Sequence, residues 1–325
     1  MPTVVSMMMF EEWNSDLMHD RGEGMAQESH IIHYKIREIA DYINWGYFFH
    51  AWGLPFEMST ISDVHDCVSC RQAWIYSFSE DKRASAEQAA VLYDDARGML
   101  ATFDAMFEAR ALFMLFNAMS DDKDNILLDG NVALPMLRQQ KPGSDGFCRC
   151  LSDYVNPRGN DKVGLFLSTV DAEMERYGAD DDYERMLSQT LADRLAEAAA
   201  ERLHEEVRKR IWGYVPDEAL SIADMHRERF QGIRPAVGYP CLPDISLNRL
   251  LDSICDFKSV GVSLTENGMM QPHASVSGLM ISHPQAQYFA VGAITDEQVE
   301  DYARRRGMSA EVMRKYLAKN VCNFE

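Results

Sequence analysis

The feature that most constrains this chain is a run from Asp182 to about Trp212 whose apolar residues fall at helical spacing. Tyr183, Met186, Leu187, Leu191, Leu195, Ala198, Ala199 and Leu203 mark one side, and polar residues fill the positions between. A helix of that length reaches roughly 45 Å at 1.5 Å per residue, enough to cross a whole domain. Asp181 and Asp182 suit its positive N-terminal end, while Arg208, Lys209 and Arg210 suit its negative C-terminal end. Gly213 then stops it. This is the most secure helix in the chain.

Helical patterns dominate the rest of the first two thirds. Ser85-Ala-Glu-Gln88 reads as a capping box opening an amphipathic run to about Arg110, and the apolar Ala111–Phe116 segment beside it reads as a buried strand. Later, Ser221 opens a short helix, and residues 232–243 are too rich in Pro and Gly to be regular. Ser275 to His283 and Tyr288 to Ile294 read as a hairpin around Pro284-Gln285-Ala286. Thr295-Asp-Glu-Gln298 is a second capping box, Gly307 a helix terminator, and Ser309 the cap of a final helix. Long helices segregated from strand pairs predict an α+β fold, not the alternating βαβ units of a Rossmann fold. No repeat or Ser/Gly linker divides the chain, so one domain is expected.

Charge narrows the partners. With 51 acidic and 32 basic residues the net charge is −19, which repels nucleic-acid phosphates and anionic membrane surfaces alike. No apolar run approaches the roughly 18–20 residues of a membrane helix, and the N-terminus lacks the basic region of a secretory signal. Seven cysteines, odd in number and sparse, fit a reducing cytoplasm.

Among chemistry-bearing patterns, a phosphate loop and a Gly-x-Ser-x-Gly elbow are missing, and His204-Glu205 lacks the second histidine of a helical zinc pair. Cys67-Val-Ser-Cys70 has ligand-type spacing. Only Cys148 and Cys150 offer a second pair, however, at the wrong spacing for a zinc knuckle, so two ordinary thiols and no metal are expected. No catalytic residue stands out. Gly232-Ile-Arg-Pro-Ala-Val-Gly-Tyr-Pro240 differs: Pro235 and Pro240 fix φ, while Gly238 permits a turn closed to other residues. Arg234 offers a planar fork that matches a carboxylate, and Tyr239 a flat apolar face with a polar tip. Two readings stay open on these grounds, a rigid surface turn or a site for an anionic or zwitterionic small ligand.

The same segment resembles the Arg-Pro-Ala-x-Gly-Tyr-Pro signature of the activation domain of cobalamin-dependent methionine synthase. The likeness continues in family order through Tyr42-Ile-Asn-Trp45 with Phe48, Phe49 and Trp52, Leu137-Arg-Gln-Gln140, Asp181-Asp-Tyr183, Ala192-Asp-Arg-Leu-Ala-Glu197 and Leu203-His-Glu205. Trp212-Gly-Tyr214, Leu264-Thr-Glu266, Ala274-Ser-Val-Ser-Gly278 and Val299-Glu-Asp-Tyr-Ala303 extend it to about residue 310. The implied organisation is an unassigned N-terminal extension, residues 1–34, followed by one activation-like domain, residues 35–325.

The resemblance implies a helmet-like α+β domain with a central antiparallel sheet that binds S-adenosylmethionine in a shallow groove. Its implied task is reductive methylation of cobalamin that has been oxidised to the cob(II) state, with an electron from flavodoxin or an equivalent reductase. Carried over by position, Arg234 pairs with the ligand's carboxylate. The Pro235, Ala236, Gly238 and Tyr239 segment contacts the adenosyl part, Tyr288 and Phe289 line the groove, and Glu197 and Glu228 are acidic positions near it. Asn44 replaces a family aspartate that faces the ligand's ammonium, which removes a charge-assisted contact. These 325 residues leave no room for the family's homocysteine, folate and cobalamin modules, so the sequence is either an excised fragment or a separate chain; the unmatched N-terminus favours the second, acting in trans on a cobalamin-binding methionine synthase subunit or another corrinoid protein. Arg304-Arg-Arg306 is the candidate basic patch for an acidic flavodoxin. The alternative reading is a non-catalytic module that binds a corrinoid protein or senses S-adenosylmethionine, and a third is methyl transfer to another acceptor.

Overall fold

A computed structural model describes residues 29–129 and 131–321 of the protein. Its centre is a six-stranded antiparallel sheet. The strands are β1 (Ser29–Lys35), β2 (Glu108–Ser120), β3 (Asn125–Leu128), β4 (Val132–Pro135), β5 (Asp161–Val170) and β6 (Ser275–Met280), in the order β4-β3-β2-β5-β6. Strand β2 is long enough to carry two partners on one edge: β1 pairs from Lys35↔Glu108 to Ser29↔Met114, and β3 pairs at Ala118–Ser120. On the other edge β5 follows β2 from Ala109↔Val170 to Ala118↔Asp161, and β6 then pairs with β5 from Thr169↔Ser275 to Gly164↔Met280.

Seven α-helices of at least seven residues are found among the described residues: α1 (Trp45–Ala51), α2 (Val68–Tyr76), α3 (Glu80–Met106), α4 (Asp182–Glu206), α5 (Leu247–Cys255), α6 (Asp296–Arg305) and α7 (Ala310–Tyr316). Alternation along β2 divides the core. Ala111 and Phe113 join the apolar layer that includes α3 and α4, whereas Leu112 and Phe116 join the opposite layer, which includes α5. A sheet covered on both faces explains why β5 is buried from Val163 to Val170 without a break.

The long run at 182–212 forms α4 as its periodicity predicts. Asp181 caps it by accepting from the Tyr183 and Glu184 N–H groups, and Leu187, Leu191, Leu195 and Leu203 are buried. The helix widens into a π-helical turn over Val207–Ile211, and Gly213 follows at φ +73°. Tyr183 and Met186 remain exposed, so the buried stripe starts a turn later than the pattern suggests. Ser221, Thr295 and Ser309 cap their helices as expected.

Several expectations need correction. Ser85 lies inside α3, which starts at Glu80 after Ser79 and ends at Met106; Glu108–Arg110 already belong to β2. Ala111–Phe116 is indeed strand, and it belongs to a longer strand than expected; five of the six strands of the main sheet precede residue 171, set among the long helices that make up most of the first two thirds. The hairpin does not form. Residues 288–294 are not a strand, because their backbone bonds go elsewhere: Val291 N–H to Pro240 O and Ile294 N–H to Asn320 O. Strand β1 crosses the expected 34/35 boundary, while residues 1–28 lie outside the described structure. No helix among the described residues is long and apolar enough to cross a membrane.

Candidate functional site

The Gly232–Pro240 segment lies along the free edge of β6. Ile233 and Ile281 exchange backbone bonds of 2.9 and 3.0 Å, Leu279 N–H donates to Pro235 O at 3.0 Å, and Val237 N–H donates to Ser277 O at 2.9 Å. Pro235 needs no donor at its place in this ladder, which is where a proline is tolerated at a sheet edge. The approach depends on Gly278. A Cβ there would collide with Pro235 O and sit 2.9 Å from the Ala236 Cα. Gly238, at φ +89°, turns the chain so that its N–H reaches Leu242 O at 2.8 Å and leaves Tyr239 half exposed.

This edge places Arg234 over α4. Its Nη2 donates to Glu201 Oε2 at 3.0 Å and its Nη1 to His204 Nδ1 at 3.2 Å, while its backbone N–H donates to Tyr288 Oη at 2.9 Å. Both partners of the ion pair are largely withdrawn from solvent, with side chains 15% and 12% exposed. Burial works against the Arg234 charge, but Glu201, Tyr288 and Glu197 hold its pKa above the ordinary arginine value. Glu201 Oε1 is buried without a partner. Burial, and after it the positive charges of Arg234 and Arg208, push the His204 pKa well below 6.5 and keep the ring neutral. The ring lies 4.8 Å from that of Phe230, on which the fully buried Arg208 also stacks.

Acidic groups surround this arginine. Tyr239 Oη donates to Glu197 Oε1 at 2.8 Å, and Glu197 also accepts from Arg194 at 2.8 Å. Glu228 has a left-handed backbone, φ +57°. Burial of its carboxyl, then the negative charge of Glu201, raise its pKa, and Arg234 pulls it back. Burial pushes the Tyr288 hydroxyl up to about 12, so it stays protonated. Phe289 is anchored beside it, its N–H donating to Cys241 Sγ at 3.0 Å.

The structure thus brings Arg234, Pro235, Ala236, Tyr239, Tyr288, Glu197 and Glu228 into one neighbourhood. Asn44 has a local task as well: it caps α1, its Oδ1 accepting from Gly46 N–H at 3.1 Å. Its bond is to this cap and not to the cluster; two residues earlier, Tyr42 O accepts from His226 Nε2 at 3.0 Å and Tyr42 Oη donates to Glu205 of α4. Glu201 and His204 are functional candidates that the sequence reading misses. Spacing from Glu197 by four and seven residues puts both on the face that carries Glu197, which was the available signal. Of the expected basic patch at residues 304–306, Arg304 is 76% exposed beside Asp301, whereas the other two arginines are turned inward. Arg305 donates to Asp301, Asn125 and Met136 O, Arg306 faces Asp244 and Ser246, and their side chains are only 10% and 7% exposed.

Comparison with known proteins fits this geometry. Residues 35–307 match the model of the vitamin B12-dependent methionine synthase activation domain. A solved structure described as the MetH reactivation domain bound to AdoHcy is 34% identical, superposes with a TM-score of 0.78, and is matched over 91% of this chain and 91% of that one. The chain belongs to the family of vitamin B12-dependent methionine synthase activation domains.

Proposed function

We propose that this protein binds S-adenosylmethionine at the groove around Arg234 and supports the reductive reactivation of a corrinoid cofactor held by another module or protein. The observation that carries this reading is the charge balance at the site. Arg234 is the carboxylate-matching group, and its guanidinium has N–H donors beyond those given to Glu201 and His204. Around it stand the carboxyl groups of Glu201, which has a free buried oxygen, and Glu228, so acidic groups outnumber the one arginine there. S-adenosylmethionine has one carboxylate and two cationic centres, the ammonium and the sulfonium, and complements that surplus. AdoHcy, the ligand named for the similar solved domain, is what remains when the sulfonium gives up its methyl group.

Arg234 holds the carboxylate in this reading, and Glu201 and Glu228 favour the cationic centres. The backbone of Pro235, Ala236 and Gly238, with the faces of Tyr239, Tyr288 and Phe289, encloses the adenosyl part. Bound there, S-adenosylmethionine supplies an electrophilic methyl group, which cobalt accepts once a flavodoxin or equivalent reductase has delivered one electron. No acid or base is needed for that transfer.

The test is methyl transfer in a reconstituted mixture. Radiolabel from the methyl group of S-adenosylmethionine is expected on a cob(II)alamin-loaded methionine synthase module only when this chain and a reduced flavodoxin are both present, and Arg234→Lys should lose it. Label transfer that does not need this chain contradicts the reading. Binding without transfer would favour the second reading, a sensor or docking module, for which Asn44 in place of an acidic residue is the favouring observation.

A further inference from the structure

We propose that His65, Cys67 and Cys70 form a surface binding site for a thiophilic divalent cation, Zn²⁺ by preference, with one coordination position left open. A ring nitrogen of His65 and the two sulfurs all lie within 4.8 Å of one another. Both cysteines are free thiols and partly accessible. Two sulfurs on a tetrahedral zinc with bonds of about 2.3 Å stand about 3.7 Å apart, so small side-chain rotations suffice to close the set. Two thiolates and an imidazole are a donor set that zinc accepts, and hard cations such as Mg²⁺ or Ca²⁺ do not compete for it.

The local fold supports the ligands. Cys67 is the N-cap of α2, and its Sγ accepts from the Cys70 N–H at 3.3 Å and lies 3.3 Å from Ser69 Oγ. Both sulfurs therefore sit at the positive end of a nine-residue helix, which favours thiolates. Between His65 and Cys67, Asp66 is gripped by Arg97 at 2.6 Å and Arg71 at 3.1 Å, which fixes the loop that presents the ligands. A search restricted to cysteine pairs misses this site, because the third ligand is a histidine two residues before the first cysteine. These ligands sit on and before α2, whereas the groove around Arg234 is built from α4 and the edge of β6, so the proposal is independent of the ligand read there.

The test is a titration of the reduced full chain with Co²⁺, followed by Zn²⁺, under anaerobic conditions. One equivalent of Co²⁺ is expected to give thiolate-to-cobalt charge-transfer absorption, which one equivalent of Zn²⁺ removes. Cys67→Ser and Cys70→Ser should each weaken binding by at least about tenfold and reduce the absorption, and His65→Ala should weaken it similarly while leaving the sulfur bands. Cys148→Ser should behave as the unaltered chain, and circular dichroism should show every variant folded. Absence of the charge-transfer absorption in the unaltered chain overturns the proposal, as does absorption that survives Cys67→Ser and Cys70→Ser unchanged.

Discussion

Arg234 Nη2 stands 3.0 Å from Glu201 Oε2 in a largely buried ion pair that joins the edge of the sheet to α4. Its two sides come from different elements of the chain, and it couples the stability of the fold to the geometry around Arg234. Removing one member of such a pair leaves an uncompensated buried charge, at a cost of about 3–5 kcal/mol. Arg234→Ala should therefore lower the unfolding free energy by about 3 kcal/mol, whereas Arg234→Met combined with Glu201→Gln should recover most of that loss. Urea denaturation of the single and double variants measures it, and equal stability of all the chains would contradict the pairing.

Asn44→Asp should separate capping from ligand binding. Asp caps a helix about as well as Asn, so stability should change by less than about 0.5 kcal/mol. A restored carboxylate should tighten S-adenosylmethionine binding about fivefold, roughly 1 kcal/mol of added charge-assisted interaction. Titration calorimetry of the variant checks this, and unchanged or weaker affinity refutes it.

His204 gives the fold a pH dependence with a definite sign. Its pKa is well below 6.5 when folded, through burial and the neighbouring Arg234 and Arg208, so the unfolded chain takes up a proton that the folded chain refuses. The stability due to neutral His204 is complete above pH 6.5 and is lost as pH falls below it, at up to about 1.4 kcal/mol per unit. Denaturation midpoints between pH 5 and 7 should fall less steeply in His204→Gln than in the unaltered chain. Parallel curves would count against the assignment.

Gly278→Ala should force the Arg234 segment off the sheet, since its Cβ collides with Pro235 O and crowds Ala236. A loss of about 1–3 kcal/mol is expected for such overpacking. The amides of Val237 and Leu279, which bond across this junction, should exchange faster with deuterium. Unaltered melting temperature and protection would show that the contact is not tight.

Parts of this architecture are legible in the sequence because they are local. Helix α4 follows from its leucine spacing and the Asp181 cap, and Ser221, Thr295 and Ser309 are caps whose partners lie three residues away. Strand β5 is hard to read because a strand buried on both faces shows no alternation, and a short apolar run fits a helix equally well. The failed hairpin has the same root: residues 288–294 are apolar and β-favouring, but their backbone bonds go to Pro240, Cys241 and Asn320, which no local pattern reveals. In the site, the Gly232–Pro240 signature announces itself through proline and glycine. Glu201 does not, because its spacing from Glu197 marks only a shared helix face, and it is the approach of Arg234 that singles it out there.

The most direct test is calorimetric titration of the full chain with S-adenosylmethionine, beside Arg234→Lys and the Arg234→Met, Glu201→Gln double variant. Saturable binding of one ligand per chain is predicted, at least about tenfold weaker with lysine, which keeps the charge but loses the planar fork, and absent in the double variant. No heat of binding up to millimolar ligand, or equal affinity in all three folded chains, would contradict the assignment of this groove to S-adenosylmethionine.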